Sequence, residues 1–426
     1  MASEIINQSN GKCDLVSWRE VIRENFPDLL IAAELALCLP AQLQLRDIRN
    51  CFALVLTGQS SIGKTIVIDF FRGINEISYL SDSFTPSSFL SHAAKISKKN
   101  LGEIDLLPRI RRKVMLVPDL APLFSLREDD LVRSLGVLTR VLDGQGLSTD
   151  SGQHGRRSLE GDYLFMMLAA TTPVTRRVWK AMSTLGPRLF FYWLPKKDKG
   201  VEELAQQNRD INWSDKVDLC RGATRKLLMR RKEQYPEGIS WDKSGDSMEH
   251  LKAIAQMARL LSRLRAKIEM EDDGEKRECC AFEAPDRINQ CLYNLARAHA
   301  VLDGRQQLIE EDLFWPLQIA LNSAPEQRVQ LLSGLLTHEG AIRTSEVGSL
   351  LGITTPALHT HMGRMCTIGL CEESKINGEN AIRLKEEFRW FLGDECLQIL
   401  YSATSEKLKG ALSESDLVPP LAPSPC

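Results

Sequence analysis

The chain has 426 residues, 43% of them hydrophobic and 26% charged, with 54 Lys and Arg against 56 Asp and Glu for a formal net charge of −2. These values fit an ordinary globular protein with room for two to four domains, and they exclude a uniformly basic nucleic-acid coat while leaving local basic patches open. No apolar run approaches the roughly 20 residues of a membrane span, the opening MASEIINQSNGK carries no leader pattern, and the eleven cysteines show neither a C-x-x-C pair nor zinc spacing. A cytoplasmic protein with reduced, structural thiols is expected, with no membrane partner.

Taken in chain order, residues 1–50 read as a polar tail and a helical preface. Val16, Trp18, Val21 and Ile22, then Leu29 to Leu39, recur at helical spacing. Over 51–195, strands alternate with helices, which predicts an α/β core with a parallel sheet and ligand chemistry at the strand ends. Residues 196–324 read as nearly all helical. Residues 325–395 read as three helices, Gln327 to His338, Thr344 to Leu351 and Thr354 to Leu370, and a hairpin, Cys371 to Leu384, turning at Asn377-Gly378. That order predicts a winged helix. Residues 396–426 end in SESDLVPPLAPSPC, a Pro/Ser-rich stretch with too little apolar area to order itself.

The apolar run Cys51 to Leu56 leads into GQSSIGKT, Gly58 to Thr65, and then into the helix-like stretch Ile66 to Phe71. Strand, G-x-x-x-x-G-K-T loop and helix in that order make a P-loop, which predicts a nucleoside triphosphate. Gly58 and Gly63 let the backbone approach a phosphate, and Ser60 and Ser61 keep the loop between them small. Lys64 would reach the β- and γ-oxygens, and the Thr65 hydroxyl would coordinate Mg²⁺.

A second apolar strand, Val114 to Val117, ends in Pro118-Asp119, some fifty residues on. This resembles a Walker B strand, in which an Asp orders the metal and an adjacent Glu positions the attacking water. Only one acid is present here. Asp119 either holds the metal with no neighbouring base, or takes the base position itself; a base borrowed from elsewhere, such as Glu128, is the other route. The strand Tyr163 to Ala170 then ends in Thr171-Thr172-Pro173, where a polar residue can touch the γ-phosphate or the attacking water, the role called sensor 1. In LGPRLFFYWLP, Arg188 is the lone charge, either a salt-bridge partner or an arginine finger presented to a neighbouring subunit's nucleotide.

Together these segments resemble the AAA+ superfamily of ring-forming ATPases. Ala284-Pro285-Asp286-Arg287, followed by Leu292, Leu295, Ala298 and Leu302 on one helical face, is similar to the lid of MoxR-type ATPases and minichromosome-maintenance (MCM) helicases. The resemblance covers Cys51 to about Asn322. It implies ATP with Mg²⁺, a homo-oligomer of hexameric form, and a sensor 2 role for Arg287, which swings onto the γ-phosphate as the lid closes. It also implies that GQGLSTDSGQHGRRSLEGDY is a hairpin carrying Arg156 and Arg157 into a central pore, where they would meet DNA phosphates; a solvated turn or an intersubunit ion pair is the alternative. In the winged helix, Thr354, Thr355 and Arg364 are the candidate DNA contacts, although few cationic groups accompany them and protein docking is equally open. The expectation is a ring ATPase driving DNA translocation, unwinding or loading, with a mobile element as one source. The alternative is an ATP-gated switch or remodeller of a protein partner, MoxR-like or antiviral, with slow hydrolysis.

Overall fold

The protein was analysed as a computed structural model, which describes residues 14–91, 104–152, 155–183, 185–195, 199–209, 212–272, 276–352 and 355–402. Helix α1 (Leu15–Asn25) is capped by Asp14, whose carboxylate accepts from the Ser17 amide at 2.9 Å, and it buries Leu15, Trp18 and Ile22 on one stripe. Helix α2 (Leu30–Gln42) has no polar face, and all 13 of its residues are buried, Glu34 among them. A helix that is apolar all round has to lie inside the molecule. The preface expected at the edge of the chain is therefore a central element.

The α/β part runs β1 (Ala53–Thr57), α3 (Lys64–Asp69), β2 (Ser78–Leu80), α4 (Leu106–Ile110), β3 (Val114–Val117), α5 (Glu128–Leu142), β4 (Gly146–Ser151), β5 (Gly155–Glu160), β6 (Met166–Thr171), α6 (Arg176–Ser183) and β7 (Leu189–Trp193). Strands β2, β3, β6, β1 and β7, in that spatial order, form one parallel sheet. The sheet is covered on both sides, so its strands read as unbroken apolar runs. Leu54 and Leu56 of β1 belong to the core shared with α1 and α2, whereas Ala53 and Val55 belong to the core under α5 and α6. This is the period of two expected of a strand. β4 and β5 pair as a separate antiparallel hairpin between α5 and β6.

The chain continues through α7 (Val201–Asn208), which buries no residue, α8 (Trp213–Gln234) and α9 (Met248–Leu264). A hairpin follows, β8 (Lys267–Asp272) and β9 (Lys276–Ala281), in a region read as nearly all helical. Lys267, Glu269 and Glu271 alternate there with Ile268 and Met270, a period of two that competes with helix. Helices α10 (Asp286–Leu302) and α11 (Phe314–Asn322) pack on α9, and α10 also lies along α2.

The last segment holds α12 (Glu326–Thr337), β10 (Ala341–Arg343), α13 (Thr344–Leu351), α14 (Thr355–Thr367), β11 (Cys371–Ile376), β12 (Glu379–Leu384) and α15 (Asp394–Ser402). Its three strands pair antiparallel in the order β10, β12, β11, and the turn falls on Asn377 and Gly378, with φ of 53° and 82°. Helix α15 buries Cys396 and Ile399 and packs back against α11. The stretch expected to be loose from residue 396 is thus helical to Ser402, and 403–426 lie outside the described residues. No helix among the described residues is long and apolar enough to cross a membrane.

Candidate nucleotide site and the two edges of the sheet

Parallel strands give a sheet two chemically distinct edges, and the candidate residues divide between them. At the C-terminal edge, β1 runs into the loop 58–63, in which Gly58, Ser61 and Gly63 have φ of 148°, 67° and 98°. Alternating signs of φ turn successive amides toward one concavity, the geometry of an anion nest. A Cβ on Gly58 would stand 2.2 Å from Ile62 Cδ1, and one on Gly63 would stand 2.9 Å from Leu29 Cδ2. Only glycine fits either place without a shift of its neighbours.

Ser60 and Ser61 are exposed on this loop, as is Thr65 in the first turn of α3. The Lys64 ammonium donates to the carbonyls of Gly58 and Gln59 at 2.8 and 2.5 Å, so it folds back over the loop. Partial burial lowers the Lys64 pKa, and the charge of Asp119 works against that fall. Asp119 is exposed just beyond β3, its carboxylate accepting from the Ala121 amide at 2.8 Å, and the Leu120 amide donates to Ala170 O of β6.

Thr171 pairs with Thr57 across β6 and β1 and is buried, while Thr172 is exposed and its carbonyl accepts from the Thr57 hydroxyl at 3.5 Å. The structure therefore gathers Gly58, Ser60, Ser61, Gly63, Lys64, Thr65, Asp119 and Thr172 on one edge. Thr171 stands at that edge too, but its buried side chain leaves Thr172 as the exposed member of the pair. Glu128 opens α5 with its carboxylate 3.9 Å from Lys180.

The nest, the ammonium and an exposed hydroxyl beside a carboxylate fit a triphosphate with a divalent cation. No group of three or more His, Cys, Asp or Glu side chains able to hold a metal occurs among the described residues. A cation here would rest on Thr65, on Asp119 and on oxygens from phosphate and water, the pattern magnesium favours.

Arg188 and Arg287 stand at the other edge. The Ala53 amide, at the start of β1, donates to Arg188 O at 2.7 Å. The first turns of α10 lie beside the residues that precede β1: Asn294 donates to Arg49 O at 2.9 Å, and the Cys291 thiol donates to Asn50 O at 3.2 Å. The four residue steps of β1 alone put about 13 Å between this edge and the P-loop. Arg188 Nη2 and Arg287 Nη1 both donate to Asp143 Oδ1, at 3.1 and 2.9 Å. Arg287, expected as sensor 2, thus stands apart from Lys64, because α10 is anchored at the opposite end of the sheet. Asp143 was not singled out in the sequence. It ends α5, 45 residues from Arg188 and 144 from Arg287, and no local pattern links positions so far apart.

The two hairpin arginines behave differently. Arg156 is exposed, 3.7 Å from Glu160. Arg157 turns back onto α4: its guanidinium donates to both oxygens of the buried Asp105, at 3.3 and 2.7 Å, and also to Ser91 O. A carboxylate taken out of water needs a fixed cation, so Arg157 is a structural ion-pair partner and not a free pore contact. Gln153 and His154 at the tip lie outside the described residues.

Thr354 also lies outside them, and Thr355 opens α14. Arg364 is half-buried, and His361 beside it has its pKa lowered by burial first and then by the charges of Arg364, Arg176 and Arg328. Arg364 Nε is itself buried, so that part of the guanidinium is turned away from solvent.

No protein-family model matches the chain, and no curated protein matches it. Among solved structures it is similar to a full-length MCM homolog from Methanopyrus kandleri, at 12% identity and a TM-score of 0.41, over 73% of this chain and 61% of that one. It is also similar to the NrS-1 C-terminal region, at 12% identity and a TM-score of 0.27, over 86% of this chain and 76% of that one. A second structure of that region, residues 305–718, gives 10% identity and a TM-score of 0.26. The chain thus spans 61% of the length of the MCM homolog. Likenesses this loose carry no weight for function, which rests on the residues themselves.

Proposed function

We propose that the chain is a P-loop ATPase of AAA+ type that works as a head-to-tail oligomer, a hexameric ring, on DNA. One observation supports the assembly above all others. The phosphate cradle stands on one edge of the sheet and the arginine pair Arg188 and Arg287 on the opposite edge, so a site with both needs two copies. Such a contact joins two different surfaces, and repeated with the right rotation it closes a ring. On this reading Lys64 and the loop amides bind the β- and γ-phosphates, and Thr65 and Asp119 hold Mg²⁺, which screens phosphate charge. Thr172 orients the γ-phosphate or the attacking water. Arg188 and Arg287 of the adjacent copy meet the charge that develops on the transferred group. The helices after β7 form the lid, and the segment from α12 to β12 is a winged helix.

The first experiment is steady-state ATP hydrolysis with and without single- and double-stranded DNA. DNA-stimulated hydrolysis is expected, and Lys64→Ala should reduce it about a hundredfold or more. Arg188→Ala should cost about a thousandfold while leaving nucleotide affinity in place. Mixing Lys64→Ala chains with Arg287→Ala chains should restore part of the rate, because each supplies the half that the other lacks. An inactive mixture, beside an active wild type, would refute the shared site.

A second reading, an ATP-gated switch or remodeller of a protein partner, is favoured by a specific observation: of the side chains expected on DNA, Arg157 is engaged by Asp105 and Arg364 is half-buried. Slow hydrolysis indifferent to DNA, with ATP-dependent assembly intact, would select it.

A further inference from the structure

Asp143 is a single carboxylate beside three arginines. Its Oδ1 accepts from Arg188 and Arg287, and its Oδ2 lies 3.7 Å from Arg140 Nη1. The side chains of Asp143, Arg188 and Arg287 are 19%, 14% and 27% exposed, so the group is mostly buried but still reaches solvent. Arg188 Nη1 donates to Leu185 O at 2.9 Å, Arg188 Nε is buried without a hydrogen-bond partner, and Arg287 Nη1 donates to Asp143. Glu283, whose carboxyl also feels the charge of Arg188, lies 3.8 Å from Arg265 Nε and has no hydrogen bond to either oxygen. Two guanidinium groups drawn to one oxygen repel each other and leave donors unused. A phosphate offers three oxygens and about two charges, and it satisfies such a pair better than one shared carboxylate oxygen.

We propose that Asp143 is an exchangeable counter-ion: it holds Arg188 and Arg287 together as one anion-binding unit and yields them when a terminal phosphate is presented to that edge. Asp143 is thus a positioning residue that sets how strongly this face takes phosphate. The inference rests on the reading above for the source of the phosphate, the nucleotide of a second copy, but the anion exchange itself is a property of one chain. A unit negative charge a few ångströms from an incoming phosphate weakens its binding on the order of tenfold in a partly solvated site.

The test uses the full chain carrying Lys64→Ala, which silences the P-loop, and inorganic pyrophosphate as the probe, followed by calorimetry. Adding Asp143→Asn, which keeps shape and removes charge, should tighten pyrophosphate on the order of tenfold. The gain should vanish when Arg188→Ala and Arg287→Ala are added, and Glu249→Gln, an exposed carboxylate on α9, should leave affinity unchanged. An unchanged or weaker affinity in Asp143→Asn, with thermal unfolding as in the parent, would overturn the proposal. If the Asn variant does not fold, Asp143→Glu serves instead: its longer arm alters the shared contact, and an affinity identical to the parent's would likewise overturn it. A wild-type chain that hydrolyses no ATP, beside an Asp143→Asn variant that still tightens pyrophosphate, would sink the ATPase reading and leave the exchange standing.

Discussion

Arg156 and Arg157 are adjacent, and neither sequence nor charge separates them. Alternation along β5 does, because neighbouring side chains leave a strand on opposite faces. Arg156 meets solvent, while Arg157 meets Asp105, whose side chain is fully buried. Arg157→Ala should therefore cost about 3–5 kcal/mol of unfolding free energy in urea melts, since it leaves a buried carboxylate without its cation. Arg157→Lys should recover only part of that, because an ammonium cannot reproduce the two-pronged contact. Arg156→Ala should stay within about 0.5 kcal/mol of wild type, and any loss of DNA stimulation should belong to it alone. At the P-loop the residue scale was fully legible: the spacing of Gly58, Gly63, Lys64 and Thr65 encodes local backbone geometry, and local geometry is what a short motif can specify.

At the scale of elements, helices α1, α2 and α10 are joined by a buried chain of charges. Arg19 pairs with Glu34, Glu34 Oε1 and Arg19 Nη2 each lie 3.1 Å from His299 Nε2, His299 Nδ1 lies 2.5 Å from Asp312, and Asp312 pairs with Arg305 at 2.8 Å. Burial opposes charge on His299, but its hydrogen bonds to Asp312 and Glu34 outweigh that and raise its pKa. Burial likewise works against the two carboxylates, yet Arg19 and His299 hold Glu34 below its ordinary range, and Arg305 and His299 do the same for Asp312. The signs set the pH dependence. A raised histidine pKa gives stability that is complete below its ordinary value near 6.5 and is lost as pH rises through the folded value. Depressed carboxylate values give stability present above the ordinary carboxylate range and lost as pH falls through the folded ones. The stability difference between wild type and His299→Gln should be about 2–4 kcal/mol near pH 6 and should shrink as pH rises into the alkaline range, read by urea melts at each pH. Apolar periodicity located α1 and α2 as helices, but His299, which meets Glu34 of the buried α2, is 265 residues away.

For the whole molecule, the proposed division of the site between two sheet edges predicts that activity is a property of the assembly. Hydrolysis per chain should rise with chain concentration, and added salt should weaken it where charged faces meet. A rate per chain that is constant across concentration would place the complete site within one copy. What the sequence by itself determined is the local geometry written over a few consecutive residues: the glycine loop 58–63 after β1, the strand ending at Asp119, the Thr171-Thr172 pair at the end of β6, and the turn at Asn377-Gly378. Each depends on backbone periods or turn geometry that short stretches specify on their own. Only the tertiary structure decided which long side chains are already engaged and which edge of the sheet each one occupies. It placed Arg287 beside Arg188 on Asp143, tied Arg157 to Asp105, and left Arg364 half-buried. Those outcomes depend on contacts between distant segments, and a charge in a sequence carries no record of the partner that packing will bring to it.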